Sequence, residues 1–96
     1  MPTPPPGFEW DERKARWNLR VHRVSFAAAM DFQFETALEI EGNDHEAEEI
    51  RLTRIGKIRR RTYVLVYTRR AGRIRVISLR HATAQERRAY VEAKGY

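Results

Sequence analysis

Eleven basic residues fall between positions 51 and 80 with no acid among them: Arg51, Arg54, Lys57, Arg59, Arg60, Arg61, Arg69, Arg70, Arg73, Arg75 and Arg80. Ten of the eleven are arginine, whose planar fork matches phosphate oxygens two at a time. A face needed only for solubility would manage with lysine, so this bias points to a phosphate-bearing partner, nucleic acid first. The preceding stretch is the reverse. Residues 31–50 hold eight acids and no Lys or Arg. A second reading is that Arg-rich strands pair with an acidic strand in the same sheet. Bases outnumber acids, so both readings can hold together.

The chemistry such residues support is metal-free cleavage of RNA. It needs a group to take the 2′-hydroxyl proton, positive charge on the phosphorane oxygens, and a proton for the leaving 5′-oxygen. Arginine supplies the charge. His22, Glu86, Tyr67 and Tyr90 are the inventory for the proton steps. Each also has a structural reading. His22 follows a helical stretch, where histidine complements the C-terminal dipole. Glu86 completes a capping box, and Tyr63 and Tyr67 share a strand face with Leu65. Arg75, on the strand face opposite Ile74 and Val76, is either a solvated sheet residue or a phosphate ligand. Arg80 ends a strand beside a helix N-terminus, a good place for an anion.

Other chemistries lack their residues. There is no cysteine, hence no disulfide, thiolate site or thiol nucleophile. His22, His45 and His81 lie far apart without metal-ligand spacing, and Asp44-His45-Glu46 is a poor cage of three adjacent residues. No G-x-S-x-G elbow or closely spaced glycine cluster is present. No cofactor is expected. No run of ~18 apolar residues could span a membrane. Met1 to Gly7 lacks a secretory pattern, which sets the expectation of a cytoplasmic protein.

The elements that must position these residues follow from periodicity. The chain has 96 residues, 42% of them apolar, and a formal charge of +6, enough for one small core. Residues 1–7 read as a flexible proline-rich leader and 8–96 as a single domain. Phe8-Glu9-Trp10 reads as a short strand. Asp11 caps a helix to about Val21, with Trp17 and Val21 on one face. Ser25 caps a second helix, Phe26 to Phe32, with Phe26, Ala29 and Met30 on one side, so the two make a hairpin.

The period then changes to two. Ala37 to Glu41 alternates as a strand, Gly42 to His45 reads as a turn or loop, and Ile50 to Ile58 is β-like across Gly56. Thr62 to Thr68 is continuously apolar and β-branched, as in a central strand covered on both faces. Arg70-Ala71-Gly72 turns into a partner strand, Arg73 to Arg80, whose apolar phase slips between Val76 and Ile77 and predicts a bulge or local burial on both faces. Thr83-Ala84-Gln85-Glu86 opens a helix from Ala84 to about Ala93. The expected fold is α+β, with a helical hairpin and a C-terminal helix packed on an antiparallel four-stranded meander sheet.

Phe8-Glu9-Trp10-Asp11, Lys14, Asn18, His22 and Val24-Ser25-Phe26 resemble the FEWDxxKxxxNxxKHGVSF opening of the BrnT family, toxins of bacterial type II toxin–antitoxin systems. Asp44-His45 with Glu48-Glu49 resembles its acidic segment. Val66-Tyr67-Thr68 with Arg73 to Ser78 is similar to its VVYTxRxxxIRIISxR stretch. Arg80, Ala82-Thr83, Glu86-Arg87 and Tyr90 match its A-R-x-A-T-x-x-E-R-x-x-Y end. There are two departures. Val21-His22-Arg23 replaces Lys-His-Gly, where losing the glycine is expected to change the turn, and the leader lies outside the pattern.

The resemblance implies a RelE-like fold, a ribonuclease that halts translation without a metal, and a BrnA-like antitoxin. It also implies a toxin–antitoxin hetero-oligomer that reaches operator DNA only through the antitoxin. On this reading His22, Arg75, Arg80, Glu86 and Tyr90 form the catalytic set. Lys14, Arg54, Tyr67 and Arg73 touch RNA. The alternative is a non-catalytic RNA-binding or protein-interaction module with the same fold.

Overall fold

The computed structural model describes residues 7–46 and 49–95. Its elements are β1 (Phe8–Trp10), α1 (Glu12–His22), two short 3-10 segments (Phe26–Asp31 and Phe34–Thr36), β2 (Leu38–Glu46), β3 (Glu49–Ile58), β4 (Arg61–Arg70), β5 (Arg73–His81) and α2 (Ala84–Lys94). The five strands form one sheet in the order β1-β5-β4-β3-β2. Neighbours from β2 to β5 are antiparallel, and β1 runs parallel to β5. The sheet is therefore mixed and five-stranded, not the four-stranded antiparallel meander expected. Three residues of β1 suffice, because Gly7 anchors the strand: its carbonyl accepts from the Ile74 N–H at 2.8 Å. The rest of the expected leader lies outside the described residues.

β4 is the central strand and carries apolar side chains on both faces. Leu65 and Tyr67 point one way, into a core with Trp10, Ala15, Phe26, Ala29, Val76 and Leu79. Val64 points the other way and packs with Ile55, Ala82 and Tyr90. α1 and the 3-10 segments cover the first face, and α2 covers one end of the second. The slip in β5 is a bulge: Val66 pairs with Ser78 but Tyr67 with Val76, leaving Ile77 as the extra residue.

Asp11 caps α1 through its carboxylate, which accepts from the N–H groups of Arg13 and Lys14. These bonds favour the charged form and hold the Asp11 carboxyl below its ordinary value. The inward side of α1 is Ala15 and Asn18, whereas Trp17 and Val21 are half exposed. Asn18 is buried because the backbone satisfies its amide. It donates to the carbonyls of Val24 and Leu79, at 2.9 and 2.7 Å, and accepts from the Leu79 N–H. Arg23 takes the left-handed conformation, φ 62°, and its N–H reaches the Leu19 carbonyl. The helix thus ends with the geometry a glycine would give, and the expected change of turn does not occur.

The expected second helix is instead a 3-10 segment, Phe26–Asp31, capped by Ser25, with Met30 exposed rather than inward. One α-helix and a 3-10 segment therefore replace the helical hairpin. Strand β2 runs through the four residues expected to turn, with a register shift between Ile40 and Asp44. Gly56 faces Phe32 so closely that a Cβ there would lie 2.6 Å from the ring, which explains a glycine inside β3. At the β4–β5 turn both Ala71 and Gly72 have positive φ, as a two-residue hairpin requires.

Candidate nucleic-acid interface

Strand alternation divides the expected site between two faces of the sheet. Leu79 faces α1, so Arg80 faces α2. His22, at the end of α1, lies on the opposite side from Arg80 and packs edge-on against Trp17 at 5.5 Å. Arg54 lies on the α1 face too, where its Nε donates to the Tyr67 hydroxyl at 2.9 Å and its fork lies 3.7 Å from Glu39. This pair realises the strand-to-strand charge pairing read from the sequence. Tyr67 is fully buried with its ring edge-on to Phe34, so it presents no surface to RNA. Tyr90 is buried as well, beneath α2 with Lys57 Nζ over its ring. Burial removes both tyrosines from the residues that could touch a substrate. Lys14 and Arg73 are exposed, on α1 and at the start of β5.

Arg75 and Arg80 are both held in ion pairs on the α2 face. Arg75 Nη1 donates to Glu9 at 2.7 Å, on the β1–β5 register where their Cα atoms pair. Arg80 engages Glu86 with both nitrogens, at 2.8 and 2.9 Å. Glu86 also accepts from the Thr83 N–H, and its own N–H donates to the Thr83 hydroxyl, which completes the capping box. The Arg80 fork, then the Thr83 donors, hold the Glu86 carboxyl down to about 2, and the same pairing raises Arg80. A carboxylate held that low gives up no proton at neutral pH and is a weak base. Glu86 therefore fits a structural anchor, not the proton carrier expected.

Glu86 ionises at about 2 in the fold and near 4.5 when unfolded, so its stabilisation is complete above pH ~4.5 and fades as pH falls towards 2. Glu86→Gln is expected to cost about 1 kcal/mol at pH 7, a modest sum because the pair is partly solvated. Urea melts of both proteins across pH 2–7 check this, and the gap between them should close at the acid end.

Beyond Arg80 the face opens into a groove between the β3–β4 turn and α2, with a volume of about 880 Å³. Lys57, Arg60 and Arg61 line one wall, Arg87, Arg88 and Val91 the other, and His81 and Ala82 the floor. Among the described residues no ion pair ties Arg60, Arg61, Arg87 or Arg88. Arg87 is steadied by the Ala82 carbonyl, 2.9 Å from its Nη1. Glu92 is the one acid on the lining. The arginines at 54, 75 and 80 are thus paired within the fold, whereas these four arginines, tied by no ion pair among the described residues, gather in one groove.

The sequence reading missed this groove because it stopped counting bases at Arg80. The signal was present, since Ala84, Arg87, Arg88 and Val91 recur at three- and four-residue spacing and so share one side of α2. Among the described residues no three His, Asp or Glu side chains gather where they could hold a metal. The side chains of Asp44, His45 and Glu46 lie outside the description.

A basic groove on an α+β domain fits many nucleic-acid binders, and sequence comparison decides among them. Residues 10–86 match the family model described as the ribonuclease toxin BrnT of type II toxin–antitoxin systems. The chain belongs to the BrnT family. That match runs from the last residue of β1 to the first turn of α2 and so includes Arg75 and the Arg80–Glu86 pair. Arg87, Arg88 and Val91 of the groove lie past its end. No curated protein matches the chain. BrnT membership makes RNA the substrate and an antitoxin protein the partner.

Proposed function

We propose that this chain is a metal-independent endoribonuclease with a RelE-like fold, which cuts RNA in the cytoplasm and thereby inhibits translation. A BrnA-like antitoxin neutralises it in a hetero-oligomer, and operator DNA is reached only through that antitoxin. One observation carries the reading: the uncompensated cationic groove beside α2, on a chain of a ribonuclease toxin family. Clustered arginines in a cleft hold an RNA backbone and stabilise charge developing on phosphorus. Arg80, next to the groove, joins them when a phosphate displaces Glu86 from its fork.

The pairing of Arg75, Arg80 and Glu86 favours a second reading, an RNA-binding module that does not cut. Incubation of total RNA with purified protein in excess EDTA separates the two. Fragmentation is the expected result. Intact RNA that nevertheless co-purifies with the protein would establish the binding module instead.

A further inference from the structure

Helix α1 turns only two buried residues, Ala15 and Asn18, into the fold. Its outer surface is apolar where a solvent-facing helix should be polar. Trp17, Leu19 and Val21 are 53, 44 and 50% exposed, three of the six large apolar side chains left exposed among the described residues. Trp17 and Val21 share a side at i, i+4 spacing. Trp17 also lines a cavity of about 310 Å³ with Ile77, the extra residue of the β5 bulge, and the other two residues on its lining are Arg13 and Lys14. The indole is oriented by His22, edge-on with planes at 85°. This cavity shares no lining residue with the groove beside α2. The helix is also cationic. It carries Arg13, Lys14, Arg16 and Arg20 against one acid, Glu12, which Arg16 engages. Among the described residues no ion pair ties Arg13, Lys14 or Arg20.

We infer that the outer side of α1, from Arg13 to Val21 and continued by Ile77, is where the antitoxin docks, and that the antitoxin segment seated there is acidic and amphipathic. The inference rests on the proposed neutralisation by an antitoxin. An exposed apolar patch of this kind, with charge at its rim, is the usual mark of a protein-binding surface. Charge then selects the occupant. A second copy of the chain would set one cationic α1 against another, which like-charge repulsion opposes. An RNA strand would find cations for its phosphates but only Trp17 to stack on, with aliphatic Val21 and Ile77 left over. An acidic segment with apolar side chains every three or four residues answers both parts: carboxylates meet Arg13, Lys14 and Arg20, and apolar side chains cover Trp17, Val21 and Ile77. Trp17 is the anchor, because an indole already oriented buries a large apolar area at little cost in side-chain freedom. The toxin is thus gripped on α1, while the groove for RNA lies beside α2.

The test uses the antitoxin encoded with this chain, purified and followed by surface plasmon resonance as it binds wild type, Trp17→Ala, Trp17→Ala/Val21→Ala and Arg13→Glu. Ile50→Ser is the control, an equally exposed apolar residue on β3, two strands away from β5. Melting temperature and affinity for an uncleavable 2′-deoxy oligonucleotide are measured on each. Both Trp17 variants are expected to lose about 30-fold or more in antitoxin affinity. Arg13→Glu, which leaves the apolar part intact, should slow association about tenfold at low salt, an effect that fades by about 0.5 M. The control should bind antitoxin as wild type does, and the Trp17 variants should keep the wild-type melting temperature and oligonucleotide affinity. A folded Trp17→Ala/Val21→Ala protein with wild-type antitoxin affinity overturns the inference alone. So does a free wild type that sediments as a dimer broken by Trp17→Ala, which makes a second copy the occupant. Loss of oligonucleotide affinity in Trp17→Ala overturns it too, and makes RNA the occupant. A wild type that binds no antitoxin overturns the proposed neutralisation as well.

Discussion

Asn18→Ala is expected to cost about 3 kcal/mol, because three buried backbone groups lose their partner at once. The Asn18 amide is the polar link between α1 and β5, joining Val24 and both backbone groups of Leu79 from a position only 1% exposed. For a domain of this size the loss corresponds to a fall in Tm of roughly 12–24 °C. A domain of 96 residues has about 5–14 kcal/mol in total, so the variant would be marginal at 37 °C. Thermal melts by circular dichroism read this directly. A shift under about 4 °C would mean that α1 is held by its apolar contacts alone.

The second large effect concerns RNA. Replacing Arg60, Arg61, Arg87 and Arg88 together by glutamine removes four uncompensated charges while keeping side-chain length. Each phosphate contact on a single strand contributes about 0.7 to the slope of log affinity against log salt. The slope should therefore flatten by about 3. At 0.1 M salt the affinity for a short single-stranded RNA should fall by roughly 10²–10³-fold. The paired arginines give the contrast. Arg54→Gln is expected to change affinity by less than about threefold, since its charge is already offset by Glu39 on the opposite face. Fluorescence anisotropy across a salt series measures both. Equal losses from the two variants would place the RNA elsewhere.

Much of the scaffold was legible from local rules. Asp11, Ser25 and Thr83 each cap a helical segment, because a short oxygen-bearing side chain before an apolar run answers orphan N–H groups. The apolar slip at Ile77 announced the bulge, and the unbroken apolar run of β4 announced its central place. What local rules do not encode is direction. Helical spacing says that Trp17 and Val21 share a face, but not that Ala15 and Asn18 form the inner one. A three-residue strand does not state its pairing, so the parallel partnership of β1 with β5 was invisible.

The site was legible as composition and not as place. Arginine richness pointed to phosphate, yet three of the site arginines turned out to be paired with Glu9, Glu39 and Glu86 from distant or local positions. Which arginines remain uncompensated depends on tertiary neighbours.

The central claim is that RNA lies in the groove beside α2. Titrating labelled protein with an uncleavable 2′-deoxy oligonucleotide and following backbone amide shifts by NMR tests it most directly. The account predicts shifts concentrated at residues 57–62 and 81–92, with α1 unperturbed. Shifts centred on Arg13 to His22, with residues 57–62 and 81–92 silent, would contradict it.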